Sequence, residues 1–465
     1  MLTSYTTYDR VVVAGGSIAG LLAAAALAPV AREVVVLDRD PLPDPAPGTP
    51  PGGPRPGTPQ AGQVHGLLAS GRLAIQELLP GFTEELVSAG AVCRGDIGTT
   101  GRWWIGGGLL ADGAVGAAGI AVSRRLVEET IRRRVRALPR VEIRDHVEVV
   151  GLVNDPAGDR VTGLRVRDRR GGGATVELGA DLVVDATGRP SRGSRWLAEL
   201  GRDEPPLERV RVGIRYATTH VARREGDLGG RYVSVSAATP EVPRVGVAIA
   251  QEDDTWVVAV CGYTEDPPPV DPDGFRQYAS GVVAPDLAEL LADRELLHPV
   301  LTYRFPDCRR RRFDRVRLPL GFVPIGDTIA SFDPTFGQGM SVAALEALLL
   351  GREAGTGMVA LRERYPRAAM AIADRAWTVV TGADLLIPGV EGTPPPGHRL
   401  VSRYVARVQR TARHDSVVAA ALMRVTNLLD APTALMRPAI LGRVVRPNRA
   451  SARRRAAGPA LTPAA

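Results

Sequence analysis

A glycine turn between a strand and a helix constrains this chain most. Residues 10–14 (Arg-Val-Val-Val-Ala) predict a short buried strand, and residues 18–28 are small, apolar and helix-forming. Between them runs Gly15-Gly16-Ser17-Ile18-Ala19-Gly20, which fits G-x-G-x-x-G with serine at the middle glycine. Gly15 allows the tight turn, a small middle residue lets backbone approach a pyrophosphate, and Gly20 lets the helix sit close to the strand. The helix start offers free N–H groups and partial positive charge to phosphates. A second strand, 33–37, ends in Asp38, at the spacing where a carboxylate holds ribose hydroxyls. Arg39 follows and joins the candidate set. An acid at 38 opposes a 2′-phosphate, so the turn predicts FAD or NAD.

The choice between them comes from far downstream. Residues 321–327 read as a strand ending in Gly326-Asp327. Then Asp333-Pro334-Thr335-Phe336-Gly337-Gln338-Gly339-Met340 opens a helix over 338–350. An NAD dehydrogenase needs no such late element, whereas a flavin's ribityl chain and ring extend beyond the pyrophosphate. Asp327 can accept hydrogen bonds from ribityl hydroxyls. The backbone of residues 337–340 can meet the N1–C2 edge of the ring, which is negative when reduced and favours a helix N-terminus. Pro334 and Gln338 belong to the same stretch. A third element, Asp185-Ala186-Thr187-Gly188-Arg189, is a strand entering a small-residue turn.

Composition removes other chemistries. The chain has 465 residues and no lysine, so its 58 basic residues are all arginine and its formal charge is +7. Schiff-base, P-loop-lysine and lysine-dependent halogenase chemistry are therefore excluded. Cys93, Cys261 and Cys308 form no disulfide framework and no CxxC motif. The six histidines (His65, His146, His220, His298, His398, His414) are scattered, so no metal site is expected. Charge is spread and aromatics are 5%, which does not suit nucleic-acid binding. The uncharged run 11–31 is broken by glycines and continues into a strand, so it reads as strand–turn–helix and not as a membrane span or signal peptide. A cytoplasmic protein is expected.

The fold class expected is α/β: a Rossmann-like FAD-binding domain with an inserted antiparallel-sheet substrate domain and a helical C-terminus. The FAD-binding domain is assigned to 1–85, 120–205 and 306–357, and the substrate domain to 86–119 and 206–305. A helical region follows over 358–446 (helices 358–383, 399–428 and 432–444), then a disordered tail over 447–465. Four strand-like runs, 210–220, 231–237, 243–250 and 255–262, carry the antiparallel sheet. Residues 41–60 hold nine prolines and read as an irregular loop, either free or laid over a ligand.

The turns at Gly15–Gly20, Asp185–Gly188 and Gly326–Met340 together resemble FAD-dependent monooxygenases of the para-hydroxybenzoate hydroxylase fold. Thr58-Pro59-Gln60, His65-Gly66-Leu67-Leu68, Leu79-Pro80-Gly81, Ser123-Arg124 and Phe336–Glu346 bring the resemblance nearest to the actinobacterial flavin epoxidases of polyether biosynthesis. The resemblance implies FAD as cofactor, Arg124 leaning on it from a helix start, and His65 near the flavin. The branch often carries a second histidine where this chain has Gln63. It also implies oxygen transfer from O₂ through a flavin C4a-(hydro)peroxide, as hydroxylation or epoxidation of an apolar, polyketide-type small molecule. NAD(P)H or a separate flavin reductase would supply electrons. No catalytic acid or base stands out, because the cofactor carries the difficult step. Substrate-lining candidates are His65, Trp104, Tyr216, Trp256 and Phe336, with Trp103 beside them. The alternative on this fold is an FAD-dependent reductase of the prenyl-reductase type. A non-enzymatic flavin-binding protein is the third reading, and a halogenase is disfavoured by the missing lysine and WxWxIP motif.

Overall fold

The computed structural model describes residues 7–43, 55–93 and 95–445. Most of the proline-rich stretch, at 44–54, and the tail at 447–465 lie outside the described residues.

Five parallel strands form the first sheet, in the order Phe322–Pro324, Leu182–Asp185, Tyr8–Ala14, Ala31–Leu37 and Val141–Arg144. Their valine-rich runs follow from burial on both faces. The register pairs Ala14 with both Leu37 and Asp185, and Asp185 with Pro324. Four carboxyl ends therefore finish level, carrying Gly15, Asp38, Ala186 and Gly326 to one edge of the sheet. That edge is where open α/β sheets bind ligands. The helix Ile18–Leu27 lies between this sheet and the helix Gly339–Ala354. A Cβ on Gly351 would come within 2.9 Å of the Ala26 carbonyl oxygen, so the two helices pack backbone to backbone.

The second sheet has seven strands: Ala330–Ser331, Leu301–Arg311, Leu207–Ala222, Thr255–Gly262, Arg244–Ala250, Val233–Ser236 and Gly101–Trp104. It is antiparallel except where Gly101–Trp104 joins in parallel. The four expected runs are its centre. Its flanks were not anticipated. Leu301–Arg311 carries consecutive arginines at 309–311. In the fold Arg310 pairs with Glu208 and Asp374 and stacks 4.5 Å over Trp377. The expected boundary at 306 falls inside this strand. A smaller three-stranded sheet comprises Val147–Asn154, Val161–Asp168 and Val176–Gly179.

Helices Pro272–Ser280 and Asp286–Leu291 cover one face of the large sheet. The C-terminal helices cover the other. Met358–Asp384 is continuous through Pro366. The expected helix over 399–428 is two, His398–Ala412 and Ser416–Thr426, because the Asp415 side chain caps the second by accepting from Val417 and Val418 N–H at 3.0 and 3.2 Å. The stretch 432–444 is a 3₁₀ turn, Pro432–Met436, followed by Pro438–Val445. Among the described residues no helix is long and apolar enough to cross a membrane.

Candidate functional site

The dinucleotide turn has the backbone that its sequence demands. Gly15 has φ +114°, and an added Cβ there would strike the Ala186 carbonyl oxygen. Ser17 precedes the helix without capping it, and no acid lies in its first turn. The first N–H groups thus keep no side-chain partner. Asp38 accepts the Gly16 and Asp40 N–H groups, each at 2.8 Å. Burial nonetheless raises its pKa above the usual carboxylate range. Arg39 is half exposed, 3.9 Å from Asp40.

Beside this turn sits a charge cluster of which the sequence pointed only to Arg124. From the start of the helix Arg124–Arg136, Arg124 donates to Ser17 Oγ at 3.2 Å and to Glu128 at 3.0 Å. Arg55 reaches back from the proline-rich loop to pair with Glu128 and lies 3.5 Å from Asp38, while Arg132 lies 3.7 Å from Glu128. Burial alone would raise the pKa of Glu128. Arg124, Arg55 and Arg132 outweigh it and hold the carboxylate below its ordinary range. The sequence signal was present in the Arg124–Glu128 spacing, but the loop residue Arg55 carried none.

The second glycine crossing meets the first. A Cβ on Gly326 would sit 2.8 Å from that of Ala19. The buried Glu346 accepts the Gly326 N–H at 2.6 Å, fixing the turn. The Asp185–Gly188 turn is tied to it as well: Gly188 N–H donates to Thr328 Oγ1 at 3.1 Å. Asp185 itself is used up in the turn, accepting from Thr187 Oγ1 and Ser191 Oγ, each at 2.6 Å. Asp327 is the opposite case. Burial raises its pKa against the opposing charges of Arg189, Arg124 and Arg311, and no hydrogen bond to its carboxylate is found among the described residues. Gly188 and Gly339 leave space around it, since a Cβ on either would stand 3.9 Å away. Pro334 opens the next turn, Gly337 closes it at φ +65°, and Gln338, Gly339 and Met340 begin the long helix. Gln338 is buried with Oε1 unpartnered. An uncapped helix start, a glycine-lined gap and a half-buried carboxylate with no donor among the described residues together fit a bound flavin dinucleotide. Its pyrophosphate would lie against Ser17 and Arg124, its ribityl chain against Asp327.

A cavity of about 1640 Å³ lies between the large sheet and the C-terminal helices, and reaches Phe336 and Gly337. Tyr216 and Phe336 line it, as does Trp103. Trp104 and Trp256 do not. Strand alternation turns Trp104 to the opposite face, where its indole and Arg102 share Asp286, at 3.0 and 2.8 Å. Trp256 is core and donates to Asp227 at 2.7 Å. His65 is also absent from the lining, though Val64 and Gly66 belong to it. Its Nδ1 lies 2.8 Å from the Gln63 carbonyl, on the side of the charge cluster. The helical wall, with Thr381, Leu385, Tyr404 and Met423, was not anticipated.

Burial, with Arg124 beside it, pushes the His65 imidazole down to about 3. The unfolded chain takes up this proton near 6.5, so His65 costs stability as pH falls from there. In ¹⁵N NMR of the flavin-free protein the ring should stay neutral to below pH 5 (~1.5 units under the free value). A midpoint near the free value would contradict the assignment.

Another feature of the cavity wall escaped the sequence. Tyr263 donates to Asp333 at 2.7 Å and lies 3.0 Å from Asp384, at the end of the helix Met358–Asp384. Both carboxyls are fully buried. Burial, with Asp333 beside it, pushes Asp384 well above the carboxylate range, so the pair retains a proton. This cluster locks the C-terminal helix to the Pro334–Phe336 turn.

The architecture is the para-hydroxybenzoate hydroxylase-like fold that FAD-dependent monooxygenases share. It is similar to the flavin-dependent brominase Bmp2 (TM-score 0.61, 16% identity, 90% of this chain and 93% of that one). It is likewise similar to the p-nitrophenol 4-monooxygenase PnpA of Pseudomonas putida DLL-E4 (TM-score 0.60, 18% identity, 91% and 100%). No protein-family model matches the chain. In sequence it is 31% identical over 457 residues to Protein Rv3254 of Mycobacterium tuberculosis, covering 95% of this chain and 94% of that one. The chain belongs to the family of that protein.

Proposed function

We propose that the chain is an FAD-dependent monooxygenase that inserts one oxygen atom of O₂ into an apolar small molecule. The observation that carries this reading is the meeting of two remote glycine turns, at Ala19 and Gly326, with an unpartnered Asp327 between them. Bound FAD supplies the redox chemistry that activates O₂. The protein's part is binding, orientation and exclusion of water. The uncapped helix start and Arg124 take the pyrophosphate, and Asp38 exchanges the Gly16 N–H for ribose hydroxyls. Asp327 accepts from the ribityl chain, and the backbone from Gly337 to Met340 faces the polar edge of the ring. The apolar cavity beyond Phe336 keeps the reacting end dry. The motif stretches at 58–68 and 336–346 support a polyketide-type substrate, with hydroxylation or epoxidation as the reaction. The electron donor in this reading is NAD(P)H or a separate flavin reductase.

The test is direct. The purified protein should be yellow, and substrate candidates should stimulate O₂ uptake by the reduced form. A reductase of the prenyl-reductase type would show no such stimulation, and a colourless protein that refuses added FAD would end the reading. Asp327→Ala gives the site test. It removes a half-buried acceptor with no protein donor among the described residues, so the flavin-free protein should keep its melting temperature. FAD affinity should fall by roughly 10–100-fold, the worth of a charged hydrogen bond. Equilibrium dialysis and thermal melts measure the two separately.

A further inference from the structure

The cavity bears on the substrate, taking the flavin reading as given for which end reacts. Its volume, about 1640 Å³, exceeds the roughly 300–1,000 Å³ usual for drug-sized ligands. The sheet wall is apolar, built from Trp103, Val235, Val247, Ile249 and Cys261. Most polar groups reaching the cavity are already engaged. Trp103 Nε1 donates to the Ile97 carbonyl at 3.0 Å, and Thr381 Oγ1 donates to the Trp377 carbonyl at 2.8 Å. Tyr263 is held by Asp333 and Asp384, and Asn427 bonds the Ala69 N–H and the Met423 carbonyl.

Tyr216 differs. It stands in the middle of the strand Leu207–Ala222, 2% exposed, and its hydroxyl has no partner among the described residues. Leaving a buried hydroxyl unpaired is costly, and a native site tolerates it where a ligand completes the bond. Its ring centroid is 6.3 Å from that of Tyr303. Its cross-strand partner Cys261 stands two residues before Tyr263, whose hydroxyl bonds Asp333 at the head of the Pro334–Phe336 turn, which places Tyr216 at the flavin end of the cavity. Burial, with Cys261 and the Asp333–Asp384 pair nearby, keeps the Tyr216 phenol protonated, hence a donor. In the helical wall His398 Nε2 and Arg413 Nε are also unpartnered, but both residues are only half-buried.

We propose that this cavity takes a lipophilic molecule larger than a drug-sized ligand, and that Tyr216 donates a hydrogen bond to an oxygen function at its flavin-facing end. A site built to bond an oxygen discriminates against the analogue lacking it, because the hydroxyl is then left bare.

The test uses two fluorescent probes, a long-chain alkylpyrene ending in a methyl ketone and the matching alkylpyrene hydrocarbon. Both are titrated into the FAD-loaded and the flavin-free protein. The wild type should bind both, the ketone about tenfold more tightly. Tyr216→Phe should bring the ketone to the hydrocarbon's affinity, leaving the hydrocarbon's affinity and the flavin absorbance unchanged. Val235→Trp, which fills the cavity from the sheet side, should weaken both probes. Three results overturn the proposal: neither probe binds, the ketone preference is absent or survives in Tyr216→Phe, or that variant loses flavin, which would make the flavin the partner of Tyr216. A wild type that takes no flavin would defeat the monooxygenase reading instead, while titration of the flavin-free protein still decides the cavity's ligand.

Discussion

Replacing Glu128 with alanine should destabilise the flavin-free protein by about 3–5 kcal/mol, the cost of breaking a buried ion cluster by removing one partner. Glu128 is 7% exposed, and Arg55, Arg124 and Arg132 all lie within 4 Å of its carboxylate. Without it three guanidinium groups remain close together, and among the described residues the one ion pair within 4 Å left to them is that of Arg55 with Asp38, at 3.5 Å. The effect should depend on pH. The folded pKa of Glu128 lies below its ordinary 4.5, so its contribution is fully present above that value and is lost as pH falls through the folded pKa. Wild type and variant should therefore converge in acid. The loss should also shrink when FAD is added, because a pyrophosphate restores negative charge beside Arg124. Urea unfolding with and without FAD measures both effects. An equal loss in the two conditions would mean that Arg124 does not face the cofactor.

Gly20→Val should be nearly as damaging, for a steric reason. A Cβ at Gly20 would collide with the Gly15 carbonyl oxygen, far inside the contact distance of a carbon and an oxygen, and would stand 3.2 Å from Val13 Cγ1. The helix Ile18–Leu27 cannot back away, since its other side is pressed on Gly351. Overpacking of this kind costs about 1–3 kcal/mol where the neighbours can move, and here they are backbone. The expected result is roughly 3 kcal/mol of lost stability together with loss of FAD binding, because the clash displaces Gly15 and the phosphate-facing turn. Gly442→Ala serves as control: its added Cβ meets no neighbour within 4 Å among the described residues, so FAD binding should be kept and, inside the helix Pro438–Val445, stability should rise by up to about 1 kcal/mol. Thermal melts and flavin absorbance of the purified variants check both claims.

The parts legible in the sequence share a physical character. The turns at Gly15, Asp185 and Gly326 are local, set by residues within a few positions of one another and by glycines where side chains would collide. The strand Leu301–Arg311 was illegible because its Arg310 is paired through Glu208 and Asp374, which only the fold brings near. Trp103 and Trp104 show a finer limit. Both are large and apolar and adjacent, and one step of strand alternation puts one in the cavity and the other against Asp286. Tyr263, Asp333 and Asp384 are remote in sequence, and nothing in the pattern of any one predicts their cluster.

The amino-acid sequence by itself determined the dinucleotide turn, the acid that closes the second strand and the late glycine crossing, because each is a matter of backbone freedom and short spacing. Only the tertiary structure decided which residues wall the cavity, which carboxylates lie buried together and which phenol is left without a partner. Those depend on the parity of strand pairing and on the C-terminal helices folding back over the sheet, and both are set by packing between segments far apart in the chain.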